Sequence, residues 1–179
     1  MTYYYFLVAS LPALQFNQKP PLSSHGLLER CQSQLAKEDY HLVDEIIKKE
    51  TVKMKHNHHV LLKWNEFNHH FKNELAYFRA KRAGKDPHLY LRGARPDDVF
   101  FRNTIDQALQ AEDPLSAEKV FDHSRWDYLD NLQRFEYFNM PYLICYALKL
   151  KILEKYEKID SPSGRALFGE YKNIEVVLS

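Results

Sequence analysis

Five histidines, His56, His58, His59, His69 and His70, crowd the stretch HNHHVLLKWNEFNHH at residues 56–70. Imidazole is the commonest metal-ligating side chain. Two Glu-x-x-His steps, Glu38-x-x-His41 and Glu66-x-x-His69, have the spacing by which one helical turn offers a carboxylate and an imidazole to a di-metal centre in a bundle core. Those four residues define one chemical reading, a metal-binding helical bundle enzyme. FDHSRWD at 121–127 raises a second, because it brings an acid, a histidine and a serine together in sequence.

Direction decides both. A helix turns about 100° per residue, so with Trp64 as zero, Val60, Phe67, Phe71, Leu75 and Phe78 fall within roughly 60° and mark a buried stripe. His59, Glu66 and His70 lie on the far side of that wheel, and His58 and His69 on its other flank. Glu38 and His41 lie opposite Val43, Ile46 and Ile47. The imidazoles and acids are therefore expected in solvent, and no metal site is assigned. Asp122, His123 and Ser124 are consecutive, diverge by about 100° each, and cannot make a hydrogen-bonded triad. Gly-rich phosphate loops, paired-cysteine zinc spacings and nucleophile elbows are absent from the sequence, so no catalytic residue and no cofactor is assigned.

The elements that carry these residues read as all-α. Only 5 glycines are present, and prolines fall between periodic segments, where they punctuate helices. Ser23 or Ser24 caps a helix to about Leu35, and a second runs from about Lys37 to Met54. The longest runs from about His58 to Ala83 and ends near Gly84 and Pro87. HLYLRGARP is a connector, and Pro96 opens a helix over DDVFFRNTIDQALQAE. Asp113-Pro114 caps another to about Phe135. Asn139 and Pro141 open a further one to about Ile159, and SPSG separates it from a last amphipathic segment. The expectation is one helical domain over 1–179 with six to eight helices: an apolar N-terminal segment 1–22, a helical body 23–160 and a C-terminal segment 161–179.

A 14% aromatic content, with 12 Tyr and 11 Phe, requires a packed interior or a partner to cover the rings, which argues against disorder. Net charge is +1, so no global field draws the chain to nucleic acid or to an anionic bilayer. YYYFLVASLPAL is too short to span a bilayer, and Pro12 and the missing basic flank argue against a signal peptide. Cys31 and Cys145 suit reduced, buried thiols in a cytoplasm. Lys81, Arg82, Lys85, Arg92, Arg95 and Arg102 cluster around the connector, first as a solvated loop and alternatively as a surface for phosphate or an acidic partner. Three consecutive tyrosines cannot share one core. Tyr3 and Tyr4 are thus partner-contact candidates, against the commoner use of such rings to seal a helix end.

Three blocks carry a resemblance across most of the chain: YYYFLVASLPALQF with PPLS, WNEFNHHFKNELAYFRAKR, and PLSAEKVFDHSRWDYLDNL leading into YALKLKILEKY. The chain resembles an uncharacterised bacterial family associated with V-type (A/V-type) ATPase genes and, more distantly, the C/d component of those rotary ATPases. The matching positions are Tyr4, Leu11, Trp64, Phe71, Leu75, Arg79, Glu118, Phe121, Asp122, Trp126 and Leu129. The resemblance implies an all-α fold like that of the C/d component and a non-catalytic role in ion transport. The chain would be a subunit, accessory or assembly factor that contacts V-type ATPase subunits near the central stalk, with Tyr3, Tyr4, Arg92, Arg95 and Arg102 as contact candidates. With the charge and cysteine readings above, which predict no nucleic-acid partner and a cytoplasmic protein, it implies contact with the inner membrane only through the complex. The pattern of the C/d component itself is longer and carries several related lobes, which favours an accessory role. A general helical adaptor with an unrelated partner is the remaining alternative.

Overall fold

The computed structural model describes residues 3–49, 58–93, 95, 98–162 and 164. Among them the chain is all-helical, with seven α-helices, one 3-10 turn and no strand. The helices are α1 (Tyr5–Ser10), α2 (Ser24–Gln34), α3 (Lys37–Lys48), α4 (His59–Arg82), α5 (Val99–Leu109), α6 (Pro114–Gln133) and α7 (Met140–Asp160), with the 3-10 turn at Pro87–Tyr90 between α4 and α5. Among the described residues no helix is long and apolar enough to cross a membrane. Contacts cluster into two compact units, residues 1–51 with 135–179, and residues 52–134.

The first unit joins the two chain ends around α7. MPYLICYALKL supplies nearly unbroken apolar sequence, and Leu143 through Leu150 are buried without interruption. A helix apolar on every side has to be enclosed. Around it lie Leu7 and Val8 of α1, Leu27 and Cys31 of α2, and Leu42, Val43 and Ile46 of α3. Two charged residues near the end of α7 serve its neighbours. The Glu154 carboxylate accepts from the Ser24 backbone N–H at 2.5 Å and from the Ser24 hydroxyl at 2.6 Å, at the start of α2. The Lys151 ammonium donates to the Ile46 carbonyl at 2.7 Å and the Lys49 carbonyl at 2.5 Å, at the end of α3. An anion at one helix N-terminus and a cation at another's C-terminus satisfy orphan backbone groups and oppose the helix dipoles.

In the second unit, α4, α5 and α6 close over rings. Phe67, Phe71, Phe101, Ile105, Ala108 and Phe121 form the core, and Trp64, Leu75, Phe78 and Tyr128 pack on it. Phe71 meets Phe121 edge-on at 5.1 Å and Phe67 stacks on Tyr128 at 4.1 Å. α4 ends in a Schellman motif: Gly84 has φ 66°, its N–H bonds the Lys81 carbonyl, and the Lys85 N–H reaches back to Ala80.

Three caps fall where the sequence places them, whereas α5, expected to open at Pro96, starts at Val99 with Asp98 accepting from the Phe100 N–H. Ser23 accepts from Gly26, Asp113 from Leu115 and Ser116, and Asn139 from Tyr142. α3 stops at Lys48, short of Met54, with Lys49 in extended backbone. Residues 50–57 and the amphipathic segment 165–179 lie outside the described residues, as do His56 and Pro96.

One expectation about α4 fails. Its acids do not all face solvent, because Glu74 is completely buried, with the neighbouring Asn73 buried beside it. Glu74 lies about 80° from Trp64 on the helical wheel, a flank rather than the far side. The returning connector covers that flank: Glu74 takes a two-pronged ion pair from Arg95, with Nε to Oε2 at 2.7 Å, and the Arg95 guanidinium lies 3.6 Å over the Tyr77 ring. Asn73 donates to the Arg92 carbonyl at 2.9 Å and accepts from the Arg92 N–H at 3.0 Å. A side chain pairing both ways with one residue's backbone acts as a short strand edge would, so the connector is clamped to α4.

Candidate interaction surface

The YYYF start splits by side. Tyr4 is buried and its hydroxyl donates to Asp39 of α3. Burial first, and that hydrogen bond second, push its pKa up to about 12. Tyr3 and Tyr5, half-exposed, stack at 5.6 Å, and Phe6 is 89% exposed. Chain from the other end of the same unit completes the surface. The Tyr4 N–H donates to the Phe138 carbonyl, Tyr3 bridges to Asn139, and the Tyr5 ring lies 5.0 Å from Phe138. Phe138 is held at φ 58°, in the left-handed region that a bulky L-residue rarely occupies. Just before it, Phe135 is 81% and Tyr137 62% exposed. Residues 3–18 carry no charge, and Glu136 alone is charged in 135–148. An aromatic patch depleted of charge has the composition of an interface core.

The candidate metal ligands occupy different ground. Glu38 and His41 on α3 are exposed, and so are Glu66 and His69 on α4. Among the described residues no group of three or more His, Cys, Asp or Glu is placed to hold a metal ion. The histidines of 56–70 divide further. His59 is exposed, while His58 is half-buried and its Nδ1 accepts from the Val60 N–H at 3.3 Å, capping α4. His70, expected on the far side, is half-buried with its ring edge-on to Phe101 at 6.2 Å, because α5 crosses α4 there. A cleft of about 380 Å³ opens beside it, lined by Glu66, Phe67, His70, Asp98, Phe100, Phe101, Asp127, Tyr128 and Asn131. Burial, then the nearby Glu66 charge, raise the Tyr128 phenol above its ordinary pKa.

The FDHSRWD residues go three ways. Asp122 is buried and bound by Arg125, His123 is exposed and pairs with Asp127 at 3.0 Å, and Ser124 meets Thr104 of α5 at 3.2 Å. Arg125 also lies over Phe71 at 5.2 Å and pairs with Glu118 at 3.5 Å, so this acid and base hold α6 against α4. Of the connector arginines, Arg95 is engaged by Glu74, Arg102 is half-buried and Arg92 is exposed. Cys31 and Cys145 are buried and in no disulfide, and burial lifts the Cys31 thiol to about 11, far from the thiolate a nucleophile requires.

The sequence pointed to Tyr3 but not to Phe135, which read only as the end of α6, nor to Tyr137, which it left unplaced. The signal present was FEYF, three rings flanking one charge just before a helix cap. Residues 94–174, which take in α5, α6 and α7, match the model of a family described as "Protein of unknown function (DUF2764)". No curated protein and no solved structure matches the chain.

Proposed function

We propose that this chain is a non-catalytic helical subunit or accessory factor of a V-type ATPase, acting through protein contacts near the central stalk. The observation that carries the protein-contact part is the charge-poor set of exposed rings, Tyr3, Tyr5 and Phe6 beside the strained Phe138 backbone and Phe135 and Tyr137 in the segment that leads to it. Strain of this kind persists only where surrounding structure holds it, and it concentrates at functional surfaces. Rings with few rotatable bonds supply interface area at low entropic cost. The partner class comes from the resemblance in the YYYFLVASLPALQF, WNEFNHHFKNELAYFRAKR and PLSAEKVFDHSRWDYLDNL blocks. A stalk accessory needs stiff helices and contact surface, which α4 and α7 with their capped ends supply.

The test is affinity purification of the tagged chain from its native cell, with the retained proteins identified by mass spectrometry. V-type ATPase subunits are expected in stoichiometric amount with the natural chain. They should be depleted with a Phe6→Ser/Tyr137→Ser variant of unchanged melting temperature. Failure of the natural chain to retain any ATPase subunit sinks the proposal.

A further inference from the structure

The last three turns of α4 expose a second surface of different chemistry. Ala76, Ala80 and Ala83 share one helix face, Leu75 borders it from the edge of the buried stripe, and Tyr90 of the 3-10 turn walls it, leaving a groove of about 440 Å³. Lys72, Arg79 and Lys85 stand on its rim, all exposed. Among the described residues none of these three cations has a carboxylate at ion-pair distance. Elsewhere in the same unit Arg95 and Arg125 are both matched by acids.

We infer that this groove docks an acidic amphipathic helix of a partner protein, its apolar stripe on the alanines and its carboxylates on Lys72, Arg79 and Lys85. Three features select that occupant. From Ala76 to Ala83 the alanine floor runs about 11 Å, two helical turns, which matches the central contact of a helix laid in a groove. Alanines let a second helix axis approach closely, whereas an extended peptide would need a strand edge to satisfy its backbone, and the described residues hold none. Three cations around an apolar floor require an anionic rim opposite. A flat bilayer would meet the rim but leave the concave floor unfilled. The inference rests on the reading of the chain as a protein-contact module and gives that module its partner's chemistry.

The test uses the full chain and a fluorescent synthetic helix of about five turns, with a leucine stripe flanked by glutamates. A twin peptide carries lysine in place of glutamate. Fluorescence anisotropy at low salt should show the glutamate peptide binding at least about tenfold more tightly than the lysine twin, with the preference shrinking at high salt. Lys72→Glu/Arg79→Glu/Lys85→Glu should reverse the preference. Ala76→Trp, which fills the floor without changing charge, should abolish binding of both peptides, and far-UV circular dichroism checks that each variant keeps its helices. Equal binding of the two peptides overturns the inference, as does unchanged binding by the triple variant. Charge-dependent binding to phosphatidylglycerol vesicles with no peptide binding overturns it too. The ATPase purification is read separately: subunits retained equally by natural and triple-variant chains remove the groove and leave the proposed function standing, whereas glutamate-peptide selectivity without ATPase removes the proposed function alone.

Discussion

The two units of this chain bury polar groups on different terms. Around α7, the buried side chains from Leu143 to Leu153 are apolar except Lys149, Asn139 is buried at the helix start, and the charged Lys151 and Glu154 reach the ends of neighbouring helices. Between α4, α5 and α6, by contrast, Glu74, Asn73, Asp122, Thr104 and Ser124 lie inside, each with a partner. A buried charge is costly to take from water and depends on its counter-ion, while an apolar core depends only on filled volume. The first unit should therefore tolerate conservative apolar change but not cavities. The second should be most sensitive where one member of a polar pair is lost.

The sharpest way to break this contrast is Arg95→Met, which strands the fully buried Glu74 carboxylate. It should cost about 3–5 kcal/mol, read by urea denaturation, with faster hydrogen exchange in 58–93. Glu74→Leu/Arg95→Met should recover most of that loss, since a well-packed apolar replacement of a buried pair is often neutral. A double variant as unstable as the single one would mean that shape, not charge, is at stake. In the first unit Ile144→Ala should cost about 2–5 kcal/mol as a cavity, whereas Ile144→Val should cost only about 0.5–1.5.

Smaller effects refine the picture. Asn73→Ala frees the Arg92 backbone and should cost about 1–3 kcal/mol, with exchange rising in the connector before the helices. Asn139→Ala removes the α7 cap and should cost about 1 kcal/mol. The smallest effect at neutral pH is that of the Tyr4 phenol. Its pKa is raised to about 12, above the unfolded value near 10, so its protonated form favours the folded state. The associated stability is complete below pH 10 and fades as pH climbs toward 12. Tyr4→Phe should flatten that alkaline loss, and an unchanged slope would assign it to another group.

Much of the fold was legible locally. Ser23, Asp113 and Asn139 caps set three helix starts, Gly84 set the end of α4, and the Trp64–Phe67–Phe71–Phe78 stripe identified the face that meets α5 and α6. The wheel also put Glu66, His69, Glu38 and His41 in water, because residues opposite a packed stripe reach solvent unless another element covers them. It failed for His70, and it left Asn73 and Glu74 unplaced; the burial of all three comes from covering elements distant in sequence. The exposed aromatic surface was half legible: YYYF announced a conflict, but only the meeting of Tyr4 with Phe138 showed which rings remain outside.

What the sequence by itself determined is where helices begin, end and turn an apolar face inward, because caps, prolines and a period of 3.6 act over a few residues. What the tertiary structure decided is which polar groups of α4 are buried, which cations along α4 lack an acid among the described residues, and which rings beside the Tyr4–Phe138 contact stay exposed. Those are contacts between residues tens of positions apart, and helical periodicity carries no information about the partner that covers a flank.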